Sequence, residues 1–247
     1  MLECRRNRSP TTEYSNVSNT PLPIYIGYDP NEKIALHVLA HSIMTRASRP
    51  VAIIPLMQQS LRLSGAWDRE RGPTESTEFS LTRFMVPFLS DYRGVSIFMD
   101  CDILCRCDIT ELEFEMRKFE FSDQGPAVLV CKHDYTPKSV TKFLGQQQTN
   151  YKCKNWSSMM VFNNAKCKAL TLDYVNTATG LDLHRFNWLE EEQVGGLPLD
   201  WNWLVGEYEP NPDARCLHYT LGGPWFKETE RCDQADLWFE ERASIGF

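Results

Sequence analysis

No stretch of this sequence stays apolar for the ~18 residues that a membrane-spanning helix requires, so no transmembrane span is expected. Positive charge is also scarce. The 26 Lys and Arg stand against 33 Asp and Glu, a net charge of −7. That balance argues against nucleic acid as a main partner, because phosphate-backbone binding rests on clustered cations. An anionic ligand would have to be met by a metal or by local donors. The first twenty residues are polar, with Arg5, Arg6 and Arg8 and no apolar core of a secretory signal. They read as the start of a disordered tail over residues 1–22, and a cytoplasmic location is expected. The nine cysteines are dispersed. Cys101, Cys105 and Cys107 have no second Cys-x-x-Cys or His-x-x-x-His to close a tetrahedral site. The cysteines therefore read as reduced thiols, with Cys101, Cys131, Cys167 and Cys216 inside apolar runs, rather than as a structural zinc site.

What is present suits one α/β domain over residues 23–247. At 42% hydrophobic and 24% charged, the chain has an ordinary soluble composition. A strand is predicted from Ile24 to Gly27, stopped by Tyr28-Asp29-Pro30. A helix follows, capped by Asn31, with an apolar face through Ala35, Leu36, Val38, Leu39 and Ile43. Val51 to Leu56 reads as a second strand and Thr82 to Leu89 as a second helix. Strands alternating with helices favour a mainly parallel sheet. Ala127 to Cys131 and Met159 to Phe162 extend it. His37 and His41 share a helical face but lack the other features of a zinc-protease motif, and read as packing or surface residues.

The chemistry concentrates at Ser96-Ile-Phe-Met-Asp-Cys-Asp, where an apolar strand ends in two carboxylates one residue apart. In extended chain, positions i and i+2 share a side, so Asp100 and Asp102 can face one ion while Cys101 faces away. Paired hard oxygens suit Mn²⁺ or Mg²⁺, ions shared between carboxylates and substrate phosphates. The carboxyl ends of strands are also where open α/β sheets bind ligands. Arg83 is a candidate for a diphosphate or sugar, since its planar guanidinium offers paired donors. Small polar residues from Asn155 to Ser158 leave room beside a buried strand. The Trp-rich stretch from Phe186 to Trp203 mixes ring faces with acids and amides, as a sugar site does. His218 lies before Gly222-Gly223, where an imidazole can complete a metal site and glycine amides can approach a phosphate.

Taken in order, these pieces resemble the GT-A fold glycosyltransferases, most closely the retaining family 8 type that includes glycogenin and bacterial galactosyl- and glucosyltransferases. The match spans about Ile24 to Trp225. It rests on Tyr-Ile-Gly-Tyr-Asp-Pro-Asn, the Arg83 helix, Phe-Met-Asp-Cys-Asp, Trp-Ser-Ser-Met-Met-Val-Phe-Asn, Glu-Glu-Gln before Leu-Pro-x-x-Trp-Asn, and His-Tyr-Thr-Leu-Gly-Gly-Pro-Trp. The resemblance implies a UDP-sugar donor with its base and ribose near Ile26, Tyr28 and Asp29. Arg83, Asp100, Cys101, Ser158, Gly222 and Gly223 would then contact the donor, and Asp100, Asp102 and His218 would hold Mn²⁺ or Mg²⁺. Gln193, with Glu192, would face the reacting sugar. The acceptor, whether glycan, lipid or protein, stays open. Three positions depart from the family: Ser158 replaces a common Gly, Val194 an acid, and Gly223 a lysine, with Lys227 the nearest downstream cation.

Two other classes compete. A phosphatase of the haloacid dehalogenase type also places Asp-x-Asp after a strand, but wants Thr or Ser where Leu104 stands. A GT-A module that binds nucleotide or glycan without turnover would explain the missing lysine.

Overall fold

The computed structural model describes residues 20–72, 75–119, 125–137 and 153–246. Apart from its last three residues, the expected tail lies outside them. Six strands form the central sheet: β1 (Leu22–Gly27), β2 (Val51–Leu56), β3 (Val95–Met99), β5 (Val128–Cys131), β6 (Met159–Asn163) and β7 (Val194–Leu197), in the order β2-β1-β3-β6-β5-β7. Pairings β1–β2, β1–β3 and β5–β7 are parallel, whereas β6 runs against both β3 and β5. The sheet is thus mainly parallel and interrupted by one reversed strand. Its strands read as near-continuous apolar runs because both faces are covered: Ile24, Ile26, Ile97, Phe98, Val128, Met160 and Phe162 are fully buried.

A second sheet holds β4 (Ile103–Cys105), β8 (Trp203–Leu204) and β9 (Cys216–His218) in the order β4-β9-β8. Helix α1 (Lys33–Arg46) lies between the two layers. Its Leu36, Leu39 and Ile43 enter the main core, while Val38 joins a smaller core with Leu104, Leu217, Tyr219 and Trp238. Trp238 belongs to the helix Ala235–Ser244, which is tied to α1 by Glu241. That carboxylate meets His41 and Arg46, each at 2.6 Å. His41 is therefore a surface residue hydrogen-bonded to Glu241 of the helix Ala235–Ser244.

Two boundaries differ from expectation for local reasons. The α1 cap is Glu32, not Asn31, because Asp29 Oδ1 takes the Asn31 N–H at 2.8 Å in a turn that delays the helix. The Thr82–Leu89 helix is a 3₁₀ turn, Thr82–Met85, running into α3 (Val86–Leu89) with Pro87 in its first turn.

Candidate active site

Strand β3 ends at Met99, and Asp100 leaves it with its N–H bonded to the Ser158 carbonyl at 2.8 Å. Cys101 and Asp102 form a turn before β4, so Asp102 folds back beside Asp100. β4 pairs antiparallel with β9, setting Ile103 opposite His218, and Tyr219 N–H donates to the Asp102 carbonyl at 3.0 Å. This ladder delivers a histidine from far along the chain. Donor atoms of Asp100, Asp102 and His218 all lie within 4.8 Å of one another, and His218 Nε2 is 3.2 Å from Asp102 Oδ1.

The other face of His218 fixes its chemistry. Its Nδ1 is 3.0 Å from Asn202 Oδ1, and Asn202 is fully buried. Asn202 Nδ2 reaches the Ser158 hydroxyl at 2.8 Å, His133 Nε2 at 3.1 Å and the Asn155 carbonyl at 3.3 Å. Ser158 spends its own proton on that carbonyl, at 2.6 Å, so it accepts from Asn202. The amide orientation follows: nitrogen toward Ser158, oxygen toward His218. Neutral His218 therefore carries its proton on Nδ1 and presents a bare Nε2 toward the aspartates, the tautomer a metal ligand needs. By the same logic His133 accepts at Nε2 and donates from Nδ1 to Tyr208 Oη, 2.9 Å away. Burial lowers the His133 pKa to about 3, so it stays neutral.

Beneath the turn, Cys101 Sγ–H donates to Glu32 Oε2 at 3.3 Å. Cys101 thus points toward α1, away from the aspartates. Burial first, and then the charge on Asp102, pushes the Glu32 pKa well above the ordinary carboxylate value. On the other flank Arg83 Nη1 is 2.8 Å from Asp100 Oδ1 and donates to the Ser157 carbonyl at 2.9 Å. Its guanidinium lies 5.4 and 5.0 Å from the Phe79 and Phe98 ring centroids. Two rings and a carboxylate hold a cation that would otherwise be costly to bury.

The remaining expected residues divide clearly. Ile26 is sealed inside the sheet, so only its backbone can face a ligand. Tyr28 is half-buried just beyond β1. Asp29 is buried, with both oxygens engaged by the N–H groups of Asn31 at 2.8 Å and Glu78 at 3.0 Å, so its carboxylate serves the loops around it. Ser158 is a hub of the Asn202 network. Gly222 has φ of +111°, a conformation that favours glycine. At Gly223 a Cβ would lie 2.0 Å from the Trp225 ring, which packs in the space a lysine stem would need. Lys227 is exposed in the next turn.

Glu192 and Gln193 are not brought to this site. β7 is parallel to β5, and Gln193 O accepts from Ala127 N–H at the amino end of both strands. Through β6 that end aligns with Val95, not Met99. Gln193 is thus about five residues, or roughly 16 Å of strand, from the level of Asp100. Its Oε1 instead accepts the Glu190 N–H at 3.0 Å in a local capping box, and Glu192 is exposed. The carboxyl end of β7 leads to Asn202. That residue lay in a quoted motif but drew no role, since an amide between two tryptophans does not disclose which histidine it meets. Glu32 and His133 gave no sequence signal at all.

No family model matches the chain. Protein CDI of Arabidopsis thaliana is 46% identical over 241 residues, 95% of this chain and 91% of that protein. Among solved structures, the apo WbbM bifunctional glycosyltransferase aligns with a TM-score of 0.61 at 18% identity, over 93% of this chain and 50% of that one. The galactosyltransferase LgtC, in complex with donor and acceptor sugar analogs, aligns at 0.57 with 13% identity, covering 92% and 97%. GlyE of Streptococcus pneumoniae TIGR4, in its apo form, aligns at 0.53 with 15% identity, covering 90% and 60%. The chain thus spans half of the WbbM structure and nearly all of LgtC. These likenesses establish a GT-A fold. In this chain Asp100, Asp102 and His218 group beyond the carboxyl end of β3.

Proposed function

We propose that this chain, which belongs to the same family as Protein CDI of Arabidopsis thaliana, is a metal-dependent glycosyltransferase. It moves a hexose from a UDP-sugar to an acceptor hydroxyl, with retention, in the manner of the family 8 type. The observation that carries the reading is the convergence of Asp100, Asp102 and His218 in a GT-A fold. Two carboxylates and a bare imidazole nitrogen form a donor set suited to Mn²⁺ or Mg²⁺, and Asn202 holds the imidazole in the ligating tautomer. A bound ion supplies charge stabilisation to the departing diphosphate.

The chain's own groups divide the remaining work. Arg83 neutralises Asp100 in the donor-free protein and offers guanidinium donors at the same spot to a donor phosphate or sugar. The backbone of Ile26 and the ring of Tyr28 border the base, and the amides near Gly222 approach the diphosphate. With Gln193 elsewhere and no glycosidase-type carboxylate pair at the aspartates, the acceptor proton passes to the leaving phosphate oxygen. The unit carrying this activity starts at β1, with Leu22, rather than at residue 23. A coupled assay for UDP release from UDP-glucose and UDP-galactose, with and without Mn²⁺, tests the reading. Metal-dependent release is the expected result; release unaffected by EDTA sinks it.

One observation favours a second reading. Trp225 excludes a lysine side chain from position 223, so the cation expected on the diphosphate is missing there. A module that holds nucleotide or glycan without turnover would tolerate that loss. It predicts UDP binding with no release of UDP from any donor.

A further inference from the structure

At the far end of the small sheet from His218, β4 and β9 bring Cys105 opposite Cys216, and the chain bends just beyond β4 to return Cys107 to them. The three Sγ atoms lie within 4.8 Å of one another. Cys105 and Cys216 are fully buried, and Cys107 is partly exposed. From this geometry we infer that Cys105, Cys107 and Cys216 form a second metal site, a three-thiolate site for a thiophilic d¹⁰ ion of the Zn²⁺ class.

The spacing fits such an ion. At a Zn–S distance of about 2.3 Å, tetrahedral ligation holds sulfurs about 3.8 Å apart. The cluster needs to contract by at most about one ångström to meet that geometry. The residues are also placed as ligands are, with two on adjacent strands of one ladder and one on the following bend. Cys105 Sγ–H donates to the Cys107 carbonyl at 3.3 Å, which ties the bend to β4 and holds the third sulfur against the other two. Cys131, by contrast, donates its thiol proton to the Pro198 carbonyl at 3.2 Å and belongs to no such cluster among the described residues.

The surrounding charge suits the loaded state. Three thiolates and one divalent ion carry a single net negative charge. Arg215 and Arg46, the latter at the end of α1, lie near enough for their positive charge to act on the cluster. Glu111 and Asp200 anchor Arg215, the latter at 3.1 Å, and its guanidinium sits 4.9 Å from the Trp201 ring centroid. Partial exposure of Cys107 supplies an entry path and leaves the fourth position to solvent. Loading transfers the thiol protons to buffer as the sulfur–metal bonds form, and changes no oxidation state. A bound ion would tie β4 to β9 two residues from His218, stiffening the strand that presents it.

The sequence hid this site because Cys216 is more than a hundred residues from Cys105, whereas Cys101, nearer in sequence, turns away to Glu32. Titration of the reduced, metal-free full chain with Co²⁺ tests it. The expected result is a sulfur-to-cobalt charge-transfer band, displaced by Zn²⁺, that persists in His218→Ala and in Cys232→Ser. Cys107→Ser should lose the band and weaken Zn²⁺ binding by at least about tenfold. As a check that needs no variant, Zn²⁺ should protect thiols of the wild type from a disulfide reagent and raise its melting temperature. Absence of the band and of thiol protection, or a band that survives in folded Cys107→Ser, overturns the assignment.

Discussion

His218 Nδ1 and Asn202 Oδ1 lie 3.0 Å apart, and this contact decides which imidazole nitrogen faces Asp100 and Asp102. Without it the ring can flip or change tautomer. Removing the partner of a ligating histidine typically weakens metal binding ~10–100-fold. Asn202→Ala should therefore lower Mn²⁺ affinity by that factor in calorimetry. In a His218→Ala background the same change should add almost nothing, because the two residues act as one unit. Independent, additive losses would show that Asn202 acts by another route.

Thermal shift should show UDP stabilising the protein only with Mn²⁺ or Mg²⁺ present, since ligand bound to the folded state alone raises its apparent stability. Asp102→Asn should abolish that metal dependence and leave the far-UV spectrum unchanged, because Asp102 sits in a turn beyond the strand. Equal stabilisation by UDP in EDTA would count against the metal site.

Arg83 and Asp100 pair at 2.8 Å with both groups largely out of water. Breaking one side of such a pair costs about 3–5 kcal/mol, because the other charge is left buried. Arg83→Ala should lower urea stability by that order, and activity with it. Arg83→Lys should recover much of the stability but little donor affinity, since a point charge does not replace the fork. A stable Arg83→Ala protein would mean Asp100 finds another partner or takes up a proton.

The sheet and the members of the Asp100, Asp102 and His218 cluster were legible in the sequence because each is marked locally. The apolar run from Val95 to Met99 ends in Asp100, and His218 sits in a distinctive Gly-Gly-Pro-Trp context. Gln193 lies away from that cluster for a directional reason. A motif such as Glu-Glu-Gln announces residue types but not which end of a strand they occupy, and β7 begins at Val194 rather than ending there. Asn202, Glu32 and His133 were illegible because their roles are made by tertiary neighbours: Asn155 and Ser158 orient the amide, and burial sets the carboxyl and the imidazole. The reversed direction of β6 likewise has no local mark, since a fully buried strand is apolar on both faces whichever way it runs.

That displacement of Gln193 has a direct test. Gln193→Ala should leave turnover within about twofold of wild type, while loss of the capping box costs about 0.5–2 kcal/mol of stability. A thousandfold loss of turnover in a folded variant would mean that the residue reaches the sugar by a rearrangement of β7.

The acid limb of stability should bear the mark of His133. An imidazole in the unfolded chain takes up a proton near pH 6.5, whereas in the fold burial lowers this value to about 3. The folded-state value is depressed, so between these limits the unfolded chain binds the extra proton. The stability present above about pH 6.5 is then lost as pH falls toward 3. The slope approaches about 1.4 kcal/mol per pH unit, which amounts to roughly 2–3 kcal/mol by pH 4.5. His133→Gln keeps a polar side chain in the Asn202 and Tyr208 network but cannot take up that proton. Urea unfolding at pH 7 and pH 4.5 should therefore show the variant losing less stability on acidification than the wild type, by about that amount, even if it starts lower at pH 7. Matching losses would show that His133 is protonated inside the fold, and the hydrogen-bond chain that sets the His218 tautomer would have to be redrawn from Asn202 outward.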